Sequence, residues 1–424
     1  MKKEKKFFTA LVVFLPILSL YKTPVPGFDL GTLVLILSCF LYLLRKRLIF
    51  TQNKFFFIFT IYVFIFSLIS YLLLKKLNTD TLLIFLRLAK FSLFSIFFMM
   101  FDMFDFEFGI IWLKRITLVA VVMIIVQTIS VNIFHFYVPG VIYRFADAQV
   151  YADQIQKMKD SGMSSLFFFR PSSIFYEPGQ FAQYCYVYLC YCLFSEKRIS
   201  RENLFNSVFI SIGLILSTSG QGILILTFFW IGFGLNNFFS QKFSYFKLFS
   251  GIFLLVTIIF AFSVILKLPI FSKSMDRVID NSSGFHFGVA VYGRFLSYSL
   301  LKDLSLYDFL FGVGFGNVTM YMPTVSQIIH TSGLFGIVLF FLFLVSSFFK
   351  GDSFQKWGII VFFGLCIGAN LFTAVNIWFY FSFFLSRRKN IMFQKYAKSE
   401  YLLHSSCQSV EPRTDIFQTG VNIR

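Results

Sequence analysis

Charged residues are scarce in this chain, and acidic residues are the scarcest. Charged side chains make up 14% of the 424 residues, against roughly 25% in soluble domains. Only 20 residues are acidic, whereas 38 are basic, which gives a net charge of +18. Long apolar runs recur along nearly the whole length instead. This composition excludes an ordinary soluble domain and predicts a polytopic helical membrane protein.

Cysteine and histidine are also few, which bounds the chemistry. The six cysteines give no disulfide framework, because five lie in apolar runs and behave as small hydrophobic residues. No set of His, Cys and carboxylate residues has the spacing of metal ligands, so we predict no metal site and no cofactor. The basic N-terminus lacks a small-residue cleavage site before its apolar run, which favours an uncleaved first helix.

The basic residues lie in short stretches between apolar runs. Such positions indicate topology signals that face anionic lipid headgroups, so we predict no nucleic-acid partner. Most clusters fall on one side of the membrane if both termini are cytoplasmic. The clusters are Lys2–Lys6, Arg45–Arg47, Lys114–Arg115, Lys197–Arg201, Lys242–Lys247 and Arg387–Lys389. We therefore predict a multi-pass protein of a bacterial cytoplasmic membrane.

The hydrophobic pattern predicts an all-α fold of about twelve transmembrane helices. Residues 1–386 form the transmembrane domain, with large outward loops at about 135–179 and 269–324, and residues 387–424 form a disordered cytoplasmic tail. Loops of this length usually carry function. The predicted spans are 7–21, 30–44, 55–74, 82–101, 116–134, 180–194, 204–217, 222–238, 248–268, 325–348, 357–369 and 371–386.

The end of the first loop, RPSSIFYEPGQF, carries the clearest candidate chemistry. Arg170 offers a planar fork of donors that suits phosphate oxygens. Glu177 precedes a helix start at the membrane surface, where desolvation would make it a general base. In the structural alternative, Glu177 stabilises the helix N-terminus and Arg170 pairs with it.

The second loop combines basic residues with a glycine-alternating run. Alternating glycines allow positive φ angles and close approach of the backbone to a ligand. The run is not a dinucleotide fingerprint, because no strand–turn–helix unit surrounds it. The candidate substrate-binding and catalytic residues here are Arg277, His286, Arg294, Gly312, Gly314, Gly316 and Asn317.

Three more polar positions lie within or between apolar runs. Arg87 and Lys90 share one face of the fourth span and line a substrate cavity or, alternatively, snorkel towards the surface. His330 begins the tenth span and is either a functional residue or an interhelical hydrogen-bonding group. The turn Ser217–Gly222 lines the same cavity or simply joins two helices.

Several motifs, in order, resemble the bacterial O-antigen and capsular polysaccharide polymerases of the Wzy type, which are related to O-antigen ligases. The resemblance covers about residues 10–385. It rests on LPILSLYKTPVPGFDLGTLVL, the basic fourth span, RPSSIFYEP, STSGQGILIL, Gly293-Arg294, DFLFGVGFGN and TSGLFGIVLFF.

The resemblance implies a membrane glycosyltransferase that polymerises undecaprenyl-diphosphate-linked oligosaccharides on the outer face of the membrane. Arg170 and Arg294, with Arg277 or Arg87, would hold the diphosphate. Glu177 would be the base, with His286 or His330 as alternatives. The implied partners are the lipid-linked oligosaccharides, the bilayer, a flippase and chain-length regulator proteins. A ligase acting on another acceptor and a polysaccharide flippase remain alternative functions.

Overall fold

The computed structural model describes most of the helical part of the chain. The described residues are 2–23, 28–43, 54–72, 81–99, 104–142, 170–196, 199–240, 279–280, 286–287, 296–318, 320–372 and 377–385. The predicted tail 387–424 and the predicted ninth span 248–268 lie outside them. So do Arg277 and Arg294.

The described residues are overwhelmingly helical. The helices are α1 (Lys2–Leu18), α2 (Leu30–Leu43), α3 (Lys54–Leu72), α4 (Thr81–Met99), α5 (Phe106–Asn132), α6 (Pro178–Phe194), α7 (Arg201–Leu216), α8 (Gly220–Ser240), α9 (Leu306–Phe311), α10 (Thr324–Lys350), α11 (Ser353–Gly368) and α12 (377–385). A 3-10 turn, Leu300–Asp303, precedes α9. The exception to the helices is a short antiparallel strand pair, β1 (Ile279–Asp280) and β2 (His286–Phe287), in which Asp280 lies opposite His286.

Within the part of the chain that the structure describes, three helices are long and apolar enough to cross a membrane. These are α3, α5 and α10, judged by length and composition. The all-helical membrane character predicted from the sequence is thus supported at this level. A helix also occurs at every other predicted span within the described residues. That twelve helices cross the bilayer stays a prediction.

Helix α5 begins ten residues before the predicted span 116–134, which corrects the sequence interpretation. Asp105 is its N-cap, and the carboxylate accepts a hydrogen bond of 3.2 Å from the backbone N–H of Phe108. Lys114 and Arg115 were predicted to lie in a loop, but both lie inside the helix. Lys114 forms an ion pair with Glu202 of α7. The pattern failed here because Lys114 is partly exposed and paired with Glu202, so the helix accommodates the charge.

Helix α6 forms the centre of the described bundle. It packs against α5, α7, α8 and α11, and nearly all of its side chains are buried. A helix that is buried all round is surrounded by protein. Among its tyrosines, Tyr184 stacks on Phe379 with ring centroids 4.9 Å apart, and the hydroxyl of Tyr188 accepts a 3.1 Å hydrogen bond from Asn206. Helix α6 is therefore enclosed by protein along most of its length.

Helix α10 is broken at Gly333. This residue has φ +67° and ψ −172°, so residues 324–332 and 334–350 form two helical segments. A Cβ atom on Gly333 would lie 2.2 Å from the carbonyl oxygen of Leu310. The C-terminal end of α9 thus occupies the break. The α10 segments pack mainly on α3 and α9.

Candidate functional site

The segment that leads into α6 is anchored to α5 by one buried amide. The Oε1 atom of Gln127 accepts a hydrogen bond of 2.9 Å from the backbone N–H of Ser173. Its Nε2 atom donates to the carbonyl oxygens of Ser173 and Val138, at 3.3 and 3.1 Å. Ser173 has φ +59°, and its hydroxyl donates to the carbonyl of Ala120 at 2.7 Å. These bonds set the backbone between Arg170 and Glu177.

The two described ends of the first predicted loop meet at this anchor. A Cβ atom on Gly140 would lie 1.7 Å from the carbonyl oxygen of Ser173. Only glycine allows the two backbones to approach so closely. The chain therefore leaves α5 and returns to α6 at one place.

The N-termini of α6 and α8 lie side by side. A Cβ atom on Gly222 would lie 3.1 Å from the Cβ of Ala182. Gln183 on α6 donates a 3.0 Å hydrogen bond to the Oε1 atom of Gln221 on α8, and Gly179 approaches the same oxygen. Each helix N-terminus carries a partial positive charge. Two adjacent N-termini favour an anion.

Arg170 adds a full positive charge at this place. Its Nη2 atom donates to the carbonyl oxygen of Thr218 at 3.3 Å. Thr218 has φ +50°, which is a genuine outlier for a β-branched residue. Its side chain is 5% exposed, and among the described residues its hydroxyl has no hydrogen-bond partner. Strained backbone and an unsatisfied buried hydroxyl are both typical of functional sites.

Glu177 is the N-cap residue of α6, and Pro178 follows at the first helical position. Its side chain makes no capping hydrogen bond and is exposed. The described residues therefore do not desolvate this carboxylate, contrary to the expectation for a buried base. Glu177 thus lies at the N-terminus of α6, and its role as a base that acts beside Arg170 stays a prediction.

The basic residues of α4 both contact protein groups. The Nη1 atom of Arg87 donates to the carbonyl oxygen of Gly316 at 2.7 Å. Lys90 forms a 3.2 Å ion pair with Asp29, which also accepts a 2.6 Å hydrogen bond from the backbone of Thr32 at the start of α2. Simple snorkelling does not describe either side chain. A substrate contact by Arg87 or Lys90 stays a prediction.

The glycine-alternating run adopts the positive φ angles predicted for it. Gly312, Gly314 and Gly316 have φ of +84°, +100° and +86°. Added Cβ atoms would meet backbone of Thr331 at 2.4 Å, the ring of Tyr71 at 2.6 Å and the side chain of Arg87 at 3.1 Å, respectively. The close approach is thus made by protein atoms. Substrate contact at these glycines stays a prediction.

The glycine-alternating run is also bonded on several sides. The backbone N–H of Phe315 donates to the hydroxyl of Ser67 at 2.9 Å, and its carbonyl accepts from the hydroxyl of Tyr71. The buried Asn317 amide donates to the carbonyl of Val313 at 3.4 Å. These bonds tie the run to α3 and to itself.

The first segment of α10 carries one predicted residue and one that sequence reasoning missed. The backbone carbonyl of His330 accepts a 3.0 Å hydrogen bond from Val313, while its Nδ1 atom is buried with no partner among the described residues. Gln327 is 1% exposed, and its Oε1 atom likewise has no hydrogen-bond partner among the described residues. In the sequence, Gln327 is an isolated amide at the start of an apolar helix, and this does not show which group the amide contacts.

The remaining predicted residues lie elsewhere. His286 is in β2, opposite Asp280. Among the residues that the structure describes, no three His, Cys, Asp or Glu side chains are grouped so that they could hold a metal ion.

Comparisons with known proteins identify no relative. No protein-family model matches the chain, and no curated protein matches it significantly. The resemblance to polysaccharide polymerases therefore stays a hypothesis that rests on the ordered sequence motifs.

Proposed function

We propose that this protein is a membrane glycosyltransferase of the Wzy type. It polymerises undecaprenyl-diphosphate-linked oligosaccharide repeat units into O-antigen, capsular or another exopolysaccharide. One observation carries the proposal: the Arg170 guanidinium lies on the Thr218 turn, where the N-termini of α6 and α8 meet. A cationic group, two helix N-termini and an unsatisfied hydroxyl form a site suited to a diphosphate.

The chemistry follows from that arrangement. An acceptor hydroxyl attacks the anomeric carbon of the donor glycan, and the bond from that carbon to the diphosphate oxygen breaks. Undecaprenyl diphosphate leaves with the electron pair, and a base takes the hydroxyl proton. Arg170 and the helix N-termini stabilise the charge that develops on the leaving group. Glu177, adjacent in the chain to α6, is the proposed base, and Arg294 is the proposed second guanidinium.

The proposed location is the outer face of a bacterial cytoplasmic membrane, with both termini in the cytoplasm. The asymmetric basic clusters support that orientation. In it, the N-termini of α6 and α8 lie at the outer surface, where a lipid-linked diphosphate resides. A flippase that delivers the repeat units and chain-length regulators would act beside this protein.

The decisive experiment is polymerisation in vitro by the full-length protein in nanodiscs, supplied with purified lipid-linked repeat units. Arg170→Ala should lower turnover about 30- to 1000-fold, which corresponds to roughly 2–4 kcal/mol of barrier. Arg170→Lys should restore activity only in part, because an ammonium lacks the bidentate fork. Arg201→Ala is the matched control, since Arg201 begins α7 and Thr218 follows the opposite end of that helix.

Two outcomes would contradict the proposal. Near-normal turnover by folded Arg170→Ala protein would remove the diphosphate site from this position. Transfer of glycan to a different acceptor, with no chain growth in the parent protein, would identify a ligase. The surface glycan of a deletion strain gives an independent readout, because a polymerase mutant should display single repeat units only.

A further inference from the structure

The first segment of α10, residues 324–332, contains two polar side chains that each have one buried atom without a hydrogen-bond partner among the described residues. Gln327 is 1% exposed, and its Oε1 atom has no partner among the described residues. The Nδ1 atom of His330 is also buried and has no hydrogen-bond partner among the described residues. The two residues are three apart in a helix and therefore lie on one face, one above the other. Native structures rarely leave such groups unsatisfied without a reason.

The two side chains are not needed to satisfy the backbone of this segment. The carbonyls of His330, Thr331 and Ser332 are satisfied by Val313, Gly314 and the hydroxyl of Tyr62. The helix is broken directly after them at Gly333. In membrane proteins, helix breaks that are buried in protein commonly accompany binding sites.

The charge near this face differs from that at Arg170. Asp308 lies on α9, which packs against α10, and its negative charge acts on His330. The Asp308 carboxylate also accepts a 2.7 Å hydrogen bond from Ser305, which holds it in place. A carboxylate disfavours an anionic ligand, so this face suits a neutral molecule. Hydroxyl groups both donate and accept, which matches an amide and an imidazole.

We propose that Gln327 and His330 bind hydroxyl groups of a saccharide. The site is separate from the diphosphate site at Arg170. It rests on the proposed function and deepens that function, because polymerisation needs one cationic site for the leaving diphosphate and one neutral site for the incoming sugar. Gln327 positions a sugar hydroxyl, and neither residue needs to touch the diphosphate. The acceptor repeat unit is the expected occupant.

The test measures binding of two different probes to the full-length protein in nanodiscs. One probe is the repeat-unit oligosaccharide released by mild acid from the host's lipid-linked pool, followed by saturation-transfer NMR. The other is inorganic pyrophosphate, followed by calorimetry. Gln327→Leu should weaken oligosaccharide binding about tenfold or more, and pyrophosphate binding should be unchanged. Arg170→Ala should show the reverse pattern.

Two additional variants keep the result interpretable. Thr331→Val is the control in the same helical turn. Its hydroxyl donates to the carbonyl of Gln327 at 2.7 Å and lies 3.4 Å from the hydroxyl of Ser332, so its partners are within its own helix, and this variant should bind both probes normally. His330→Asn tests the second residue independently, and it replaces Gln327→Leu if that variant does not fold.

Each outcome bears on one of the two proposals. Parent-like oligosaccharide binding by folded Gln327→Leu and His330→Asn proteins would overturn the sugar site while leaving the diphosphate site intact. Absence of oligosaccharide binding to the parent protein, with pyrophosphate still bound, would do the same. Loss of pyrophosphate binding in Gln327→Leu would show one shared site and would also refute the separation. Lack of polymerisation with oligosaccharide binding retained would instead contradict the proposed function.

Discussion

The turn at Thr218, which leads into α8, and the glycine-alternating run both contain positive φ angles. The two regions satisfy their polar groups differently. In the run, Gly312, Gly314 and Gly316 supply the positive φ, and protein atoms fill the space beside them. At the other turn, Thr218 takes φ +50° despite its branched side chain, and its buried hydroxyl lacks a partner among the described residues.

This difference suggests a packing role for the glycine-alternating run and a functional role for the Thr218 turn. Glycine removes the cost of a positive φ angle, so the run can serve as a close contact between α3, α4 and α10. A β-branched residue at positive φ costs on the order of 1–3 kcal/mol and persists only where its surroundings hold it. Arg170 holds the Thr218 carbonyl. The strain therefore supports the proposal that the N-termini of α6 and α8 form the functional site.

The largest effect is expected at Gly333 in the packing region. Gly333→Ala would place a Cβ atom 2.2 Å from the carbonyl oxygen of Leu310, on a backbone with φ +67°. We expect a loss of stability on the order of 3–5 kcal/mol, because neither backbone can move away. Thermal unfolding in detergent measures it. Gly364→Ala is the control, since no atom lies within 4 Å of its added Cβ, and equal melting of both variants would refute the packing role.

A large effect on activity, but not on stability, is expected at Glu177. Glu177→Gln should lower turnover about 100-fold or more, because an amide cannot accept the hydroxyl proton. If the carboxylate only stabilises the α6 N-terminus, the change would cost stability of a few tenths to about 1 kcal/mol and leave turnover intact. Turnover per folded protein in nanodiscs distinguishes the two results. Glu196→Gln, just past the opposite end of α6, is the control.

Arg87 gives an intermediate effect that tests whether the glycine-alternating run is structural. Arg87→Leu leaves the carbonyl oxygen of Gly316 without this 2.7 Å donor. We expect the free energy of unfolding to fall by about 1–3 kcal/mol, as measured by denaturant titration. A drop in turnover per folded molecule, at unchanged stability, would instead assign Arg87 to the substrate.

The smallest effect is expected at Thr218, and its sign is informative. Thr218→Gly relieves the strain of φ +50°, and the entropy that glycine loses on folding offsets part of the gain. We expect the unfolding free energy to rise by about 1 kcal/mol while turnover falls. Thr218→Ser retains the hydroxyl and should retain most of the turnover. A decrease in the unfolding free energy of Thr218→Gly would show that the φ angle of Thr218 does not destabilise the folded protein.

Parts of the site could be predicted from sequence because they depend on local chemistry. Proline after Glu177 marks the start of α6, and alternating glycines indicate positive φ angles. The helix start at Phe106 was missed because Lys114 finds its partner, Glu202, on another helix. Gln127 and Gln327 were missed for a similar reason, since an isolated glutamine in an apolar run carries no signal of the backbone or ligand that it meets.

The sequence by itself determined that this is a helical, membrane-embedded protein with an excess of basic residues, since hydropathy and charge are sums over local side chains. It also predicted which segments carry the candidate site residues. Only the tertiary structure decided which polar groups are used for packing. The contacts of Arg87 with Gly316, of Lys90 with Asp29, and of Arg170 with Thr218 join residues far apart in the chain. Their pairing depends on how the helices pack, which no local pattern encodes.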